Sequence, residues 1–161
     1  MSQSLPQVSS QFRSLYKTDF YAWTQKQAEL LRHQKWSELD LLNLVEEIES
    51  LGKQQRSELQ NRLSILVGHL LKWEYQPQKR TRSWFSTIRV QRIDILELLA
   101  ENPSLKPYLS EGLEQAYQKG VILAAGETNL SERTFQKECS YTIEQMLDEH
   151  FFPGESCDWL D

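Results

Sequence analysis

The sequence predicts an all-α fold, a helical bundle organised on one long helix with shorter helices packed along it. Three observations predict it. Turn-forming residues are scarce: the 161 residues include 6 Gly and 5 Pro, little more than half the roughly 12% of average usage. Apolar residues recur at i, i+3, i+4 and i+7 through most of the chain, the signature of amphipathic helices. The longest such stripe, Leu41 to Trp73, keeps one phase at 100° per residue, so it reads as one helix of about 34 residues, roughly 50 Å long.

In chain order, residues 1–14 carry Ser, Gln and a proline without periodicity and are expected to form a flexible arm. A single helical domain is expected over 15–153 and an acidic tail over 154–161. The first helix starts with Thr18 or Asp19 as N-cap and runs to about His33. Phe20, Trp23, Leu30 and Leu31 lie on its buried face, interrupted by Gln27. Asp40 is placed to cap the long helix, with Glu46 and Glu47 towards its positive end. Leu41, Leu44, Val45, Ile48 and Leu51, then Leu59, Leu63, Leu66, Leu70 and Trp73, are expected on one core-facing line. Gly52 falls on that line, where it admits a neighbouring helix or marks a bend, and Gln55 is its one polar member.

Pro77 ends the long helix. The next begins near Ser83, buries Trp84, Ile88, Gln91, Ile95 and Leu98, and stops before Pro103. Another spans Lys106 or Pro107 to about Ala125, with Leu109, Leu113, Ala116, Tyr117 and Gly120 inward, closed by the stretch Gly126 to Asn129. The last is expected from Ser140 to about Glu149, before Pro153 and Gly154.

Composition excludes several classes. With 23 acids against 18 bases the net charge is −5, which argues against a pervasive nucleic-acid coat. Two cysteines, Cys139 and Cys157, are too few for a disulfide framework. No apolar run approaches the roughly 18 residues of a membrane span. Met1 to Pro6 is polar, without a signal-peptide core. A soluble, cytoplasmic protein without a membrane partner is expected.

Several blocks have a distinctive pattern: Asp19-Phe20-Tyr21-Ala22-Trp23, the run from Leu39-Asp40 through Glu46-Glu47-Ile48-Glu49-Ser50-Leu51-Gly52, and His69-Leu70-Leu71-Lys72-Trp73. Further ones are Gln76-Pro77, Ser83-Trp84 with Thr87-Ile88-Arg89, Gln91-Arg92, Pro103-Ser104-Leu105, and Glu144-Gln145 with Leu147-Asp148. Together they resemble an uncharacterised bacterial family, common in cyanobacteria, known as domain of unknown function twenty-nine. The resemblance runs from about Leu15 to Pro153 and implies a compact helical fold. It implies no activity, cofactor or catalytic residue. Gln136 and Ser140 stand where the family pattern often has prolines.

Candidate polar chemistry centres on Glu46, Glu47 and Glu49 with His69. On a helical wheel Glu47 and His69 share a flank of the core stripe. They are 22 residues apart, roughly 33 Å along a helix, so one chain cannot bring them to one metal without a fold-back. An antiparallel copy could bring one helix's Glu47 towards another's His69. The Glu-x-x-His and His-Glu-x-x-His spacings of metal sites are missing, so salt bridges and helix-dipole support are the expected roles. His69 is expected to be a hydrogen-bonded packing residue at the core edge. His150 has no matching nucleophile by any motif, the cysteines lack zinc spacing, and the six glycines form no phosphate loop. No metal or other cofactor and no catalytic residue is expected.

The most distinctive feature is electrostatic. Lys72, Lys79, Arg80, Arg82, Arg89 and Arg92 face a single acid, Glu74, within one segment interleaved with Trp73, Tyr75, Trp84 and Phe85. Such a segment suits phosphate contact and base stacking. From Glu138 to Asp161 there are seven acids and no Lys or Arg, so neutralisation of the basic segment, within one subunit or between two, competes with a nucleic-acid or phosphate-bearing partner and with a plain solvated face. The leading expectation is a non-enzymatic interaction module that binds a protein partner or a second copy of itself. The alternative is nucleic-acid binding, with processing as an extension, through Lys72 to Arg92.

Overall fold

A computed structural model describes residues 15–156. Every regular element in this range is helical: α1 (Phe20–Arg32), α2 (Leu41–Tyr75), α3 (Arg82–Glu101), α4 (Tyr108–Thr128) and α5 (Ile143–Leu147), with short 3-10 turns between them. The long helix is present as one 35-residue element. The chain divides into two compact units, residues 1–53 and 54–161, and the division falls within α2. The expected arm over 1–14 and the end of the tail, 157–161, lie outside the described residues.

In the first unit Asp19 caps α1, its carboxylate accepting the Ala22 amide at 3.0 Å. Gln34, at φ 56°, turns the chain after α1. Trp23, Gln27, Leu30, Leu39 and Asp40 are buried. Trp23 Nε1 donates to Asp40 Oδ2 at 3.2 Å, Asn43 Nδ2 donates to the same oxygen at 2.7 Å, and the Asp40 amide donates to Gln27 Oε1 at 2.9 Å. Gln27 is therefore no interruption of the buried face. Its amide oxygen satisfies the backbone at the start of α2, which a buried donor requires. Phe20 and Leu31, expected inside, are exposed.

The second unit holds the larger core. Leu59, Leu63, Leu66, Leu70 and Trp73 on α2 pack with Ile88, Ile95 and Leu98 on α3 and Ala116, Tyr117 and Ala124 on α4. Close helix approach occurs between α2 and α4. A Cβ on Gly120 would lie 2.8 Å from Val67 Cγ1 and 3.0 Å from the Gly68 nitrogen, and one on Gly68 would meet Leu123 Cδ2 at 2.7 Å. The glycine expected to serve this purpose, Gly52, has nothing within 4 Å of its Cβ position. Gln55, expected on the buried line, is exposed.

Two helix ends differ from the periodicity. α4 continues through Gly126 to Thr128 and is stopped by Asn129, whose left-handed backbone (φ 59°) ends the helix. α5 is only five residues long. A reciprocal capping box between Thr142 and Gln145 starts it late. Carbonyls at Met146, Glu149 and Phe151 accept hydrogen bonds from Arg92, which draws the chain out of helix after Leu147.

Candidate functional site

Among the described residues the first unit carries an exposed apolar face. Leu41, Val45, Ile48 and Leu51 fall in phase with the buried half of the α2 stripe, yet they are 49%, 54%, 65% and 61% exposed, against 0% for Leu63, Leu66 and Leu70. Leu42 beside them is also exposed. The expectation that this half of the stripe faces a core is corrected. Here the buried contacts of α2 go to a different side, through Asp40 and half-buried Asn43 and Leu44. The candidate acids border this region. Glu46 is exposed, Glu49 forms an exposed i,i+4 pair with Lys53 at 4.0 Å, and half-buried Glu47 accepts the Tyr16 phenol. That hydrogen bond, with smaller contributions from burial and Glu46, pushes the Tyr16 phenol up to about 12.

The basic segment lies in the second unit, and its six cations divide into two sets. Lys72, 1% exposed, pairs with Glu127 and sits 4.6 Å from the centre of the Trp84 ring. Arg80, also buried, donates from Nε to the Trp73 carbonyl at 2.9 Å and from Nη1 to the Glu155 carbonyl at 2.8 Å. Buried Arg92 donates to the Met146 carbonyl at 2.7 Å, the Glu149 carbonyl at 3.3 Å and the Phe151 carbonyl, beneath the Phe152 ring at 5.0 Å. Burial lowers the Arg92 guanidinium to about 10, opposed by nearby Asp148, so it is still cationic at neutral pH. Lys79, Arg82 and Arg89 make up the exposed set, with Arg89 5.6 Å from the Phe85 ring centre.

The acidic segment after Glu138 therefore does meet the basic one, but by main-chain carbonyls. This follows from geometry: a guanidinium carries a planar fan of N–H donors and can bond several carbonyl acceptors at once. Phe152 completes the clasp, stacked 5.2 Å from Phe85 and tilted 5.2 Å from Trp73. Tyr141 adds a further tie by donating to the Glu74 carboxylate. Burial and that hydrogen bond push the Tyr141 phenol upward.

His69 is half-buried on α2, with Nδ1 2.9 Å from the Ile65 carbonyl, which makes Nδ1 the protonated nitrogen. Burial first, then Lys72, lowers its imidazole below the usual 6.5. α2 is unbroken between Glu47 and His69, and among the described residues no group of three or more His, Cys, Asp or Glu is arranged to hold a metal ion. A groove of about 350 Å³ between α4 and the segment before α5 is lined by Leu113, Glu114, Tyr117, Lys137 and Cys139 among others. Burial raises both the Cys139 thiol and the Tyr117 phenol, the latter to about 12, so neither is a ready nucleophile at neutral pH.

Residues 15–152 match the family described as a domain of unknown function, DUF29. The chain belongs to the DUF29 family. No curated protein and no solved structure matches it. The match spans both the exposed α2 face and Arg92 with its three carbonyl partners, so both are features within the DUF29 region of this chain. Among the described residues no helix is long and apolar enough to cross a membrane.

The structural roles of Arg80 and Arg92 were not foreseen from this DUF29 sequence. For Arg92 a signal existed. It occupies the i+4 position after Ile88 and precedes Ile95 by three, on the buried face of α3. A cation in phase with core residues needs internal acceptors. Arg80 lies between helices, where no period applies, and only the fold reveals its partners.

Proposed function

We propose that this DUF29 domain is a non-enzymatic self-association module whose contact surface is the N-terminal face of α2. The observation that carries this is the exposure of Leu41, Val45, Ile48 and Leu51, each about half or more open to solvent on one helical stripe. Burial of contiguous apolar area is the main driving force of association, and a two-fold contact lets one such stripe cover its own copy.

Sedimentation equilibrium of the full chain tests it. The expected result is a concentration-dependent dimer that Ile48→Glu or Leu51→Glu converts to monomer with helicity unchanged, because both side chains are exposed in the single chain. A monomer at all concentrations overturns self-association. If the α2 face of that monomer gains hydrogen-exchange protection only with residues 1–14 present, the face belongs to that segment instead.

Nucleic-acid binding keeps narrower support. Lys79, Arg82 and Arg89 are exposed, whereas Lys72, Arg80 and Arg92 direct their donors inward, and Trp73 is buried. A mobility-shift experiment with labelled RNA and DNA across a salt series checks this second function. Salt-sensitive binding lost in a Lys79, Arg82 and Arg89 triple Glu variant would support it.

A further inference from the structure

We infer that the second copy docks antiparallel on α2, with Ile48 of each chain seated over Gly52 of the other. This rests on self-association through the α2 face and adds its orientation and register. Ile48 and Gly52 are an i,i+4 pair, one turn apart on the same face. Ile48 is 65% exposed, and nothing lies within 4 Å of a Cβ built on Gly52. A mid-helix glycine weakens a helix, and no described residue fills the space its missing side chain leaves. An antiparallel copy centred near residue 50 sets bulk against that gap twice. A parallel copy sets Ile48 against Ile48 and leaves the two gaps facing each other.

The charges independently favour the same orientation. Glu49 and Lys53 are also an i,i+4 pair, both well exposed, and their midpoint lies one residue from that of Ile48 and Gly52. In an antiparallel pair each Glu49 faces the other chain's Lys53. In a parallel pair the two copies of this flank lie on opposite sides of the seam, so neither Glu49 meets a Lys53 of the other chain. Between Lys35 and Lys53 the chain carries Glu38, Asp40, Glu46, Glu47 and Glu49 with no Lys or Arg, so in-register parallel association brings two acidic stretches together.

Thiol crosslinking of the full chain separates the orientations. In a background with Cys139→Ser and Cys157→Ser, single Leu51→Cys and Val45→Cys variants are treated with a short thiol-specific crosslinker. In the antiparallel pair the two copies of residue 51 lie at nearly one level, whereas those of residue 45 are offset by roughly 15 Å along the axis. Leu51→Cys is expected to crosslink and Val45→Cys to crosslink at least about tenfold less. Equal crosslinking at both positions in a chain that sediments as a dimer overturns the antiparallel register while leaving self-association intact. A chain that sediments as a monomer overturns both. A second arm mixes Glu49→Lys with Lys53→Glu. Each alone is expected to associate more weakly than the native chain, and the mixture to recover association although the pair within each helix stays broken. Undiminished association of Glu49→Lys alone overturns the proposed pairing.

Discussion

Gly68 on α2 and Gly120 on α4 meet so closely that a Cβ on Gly120 would sit 3.0 Å from the Gly68 backbone nitrogen. The obstacle is main chain together with the β-branched Val67, neither of which yields easily. Gly120→Ala is therefore expected to destabilise the fold by about 1–2 kcal/mol, although alanine is favoured over glycine in a helix by about 1 kcal/mol. Gly68→Ala is expected to cost less, because its closest obstacle is the far end of the flexible Leu123 side chain. Urea denaturation of both variants checks the order.

Gly52→Ala makes the opposite case within the same helix. With nothing within 4 Å of the new methyl, the substitution is expected to stabilise the dilute, monomeric chain by about 0.5–1 kcal/mol. If Gly52 is the seat for a second copy's Ile48, the same change weakens association. Unfolding at low concentration and sedimentation at high concentration report the two effects separately.

Arg92 is expected to behave as a structural residue. Arg92→Met leaves the Met146, Glu149 and Phe151 carbonyls without their common donor and is expected to cost about 2–4 kcal/mol. Arg92→Lys is expected to recover only part of that, since an ammonium lacks the planar fork. Arg80→Glu would set a carboxylate against the Trp73 and Glu155 carbonyls and is expected to abolish folding. The exposed set contrasts with both: single Glu substitutions at Lys79, Arg82 or Arg89 are expected to stay within about 0.5 kcal/mol. Circular dichroism melts of these variants show which cations the fold requires.

His69 makes part of the stability pH-dependent. Its imidazole is lowered when folded, chiefly by burial, so the unfolded chain binds the proton more readily. Stability is then complete above the unfolded value of about 6.5 and falls as pH drops through that value and the lower folded one. Lys72 adds repulsion to the protonated ring, and Glu127 relieves part of it. Denaturant midpoints measured from about pH 7.5 down to pH 5 should fall less steeply for His69→Gln than for the native chain.

Tyr141→Phe removes the donor that Glu74 receives from the C-terminal segment. Loss of a part-buried hydrogen bond to a carboxylate is expected to cost about 1–3 kcal/mol. Urea midpoints compared with those of a distant control, Tyr21→Phe at an exposed position, distinguish this from a general loss of hydroxyl groups.

What the sequence determined by itself is the set of helices and most of their starting points. Asp19 caps α1, Pro77 follows the end of α2, and the phase from Leu59 to Trp73 marks a face that is indeed buried. Capping, proline chemistry and helical periodicity act over one or two turns, so a linear chain displays them directly. The same periodicity runs through Leu41 to Leu51, where the residues are exposed. A stripe records that a face is apolar and says nothing of what covers it. Tertiary structure alone decided that Gly68 and Gly120, and not Gly52, form the close helix contact. It also decided which backbone carbonyls, brought in from residues 146–155, Arg80 and Arg92 meet. Those partners lie more than fifty residues away along the chain, beyond the reach of any local pattern. Their roles follow from the requirement that a buried donor find an acceptor, and only the folded chain supplies it.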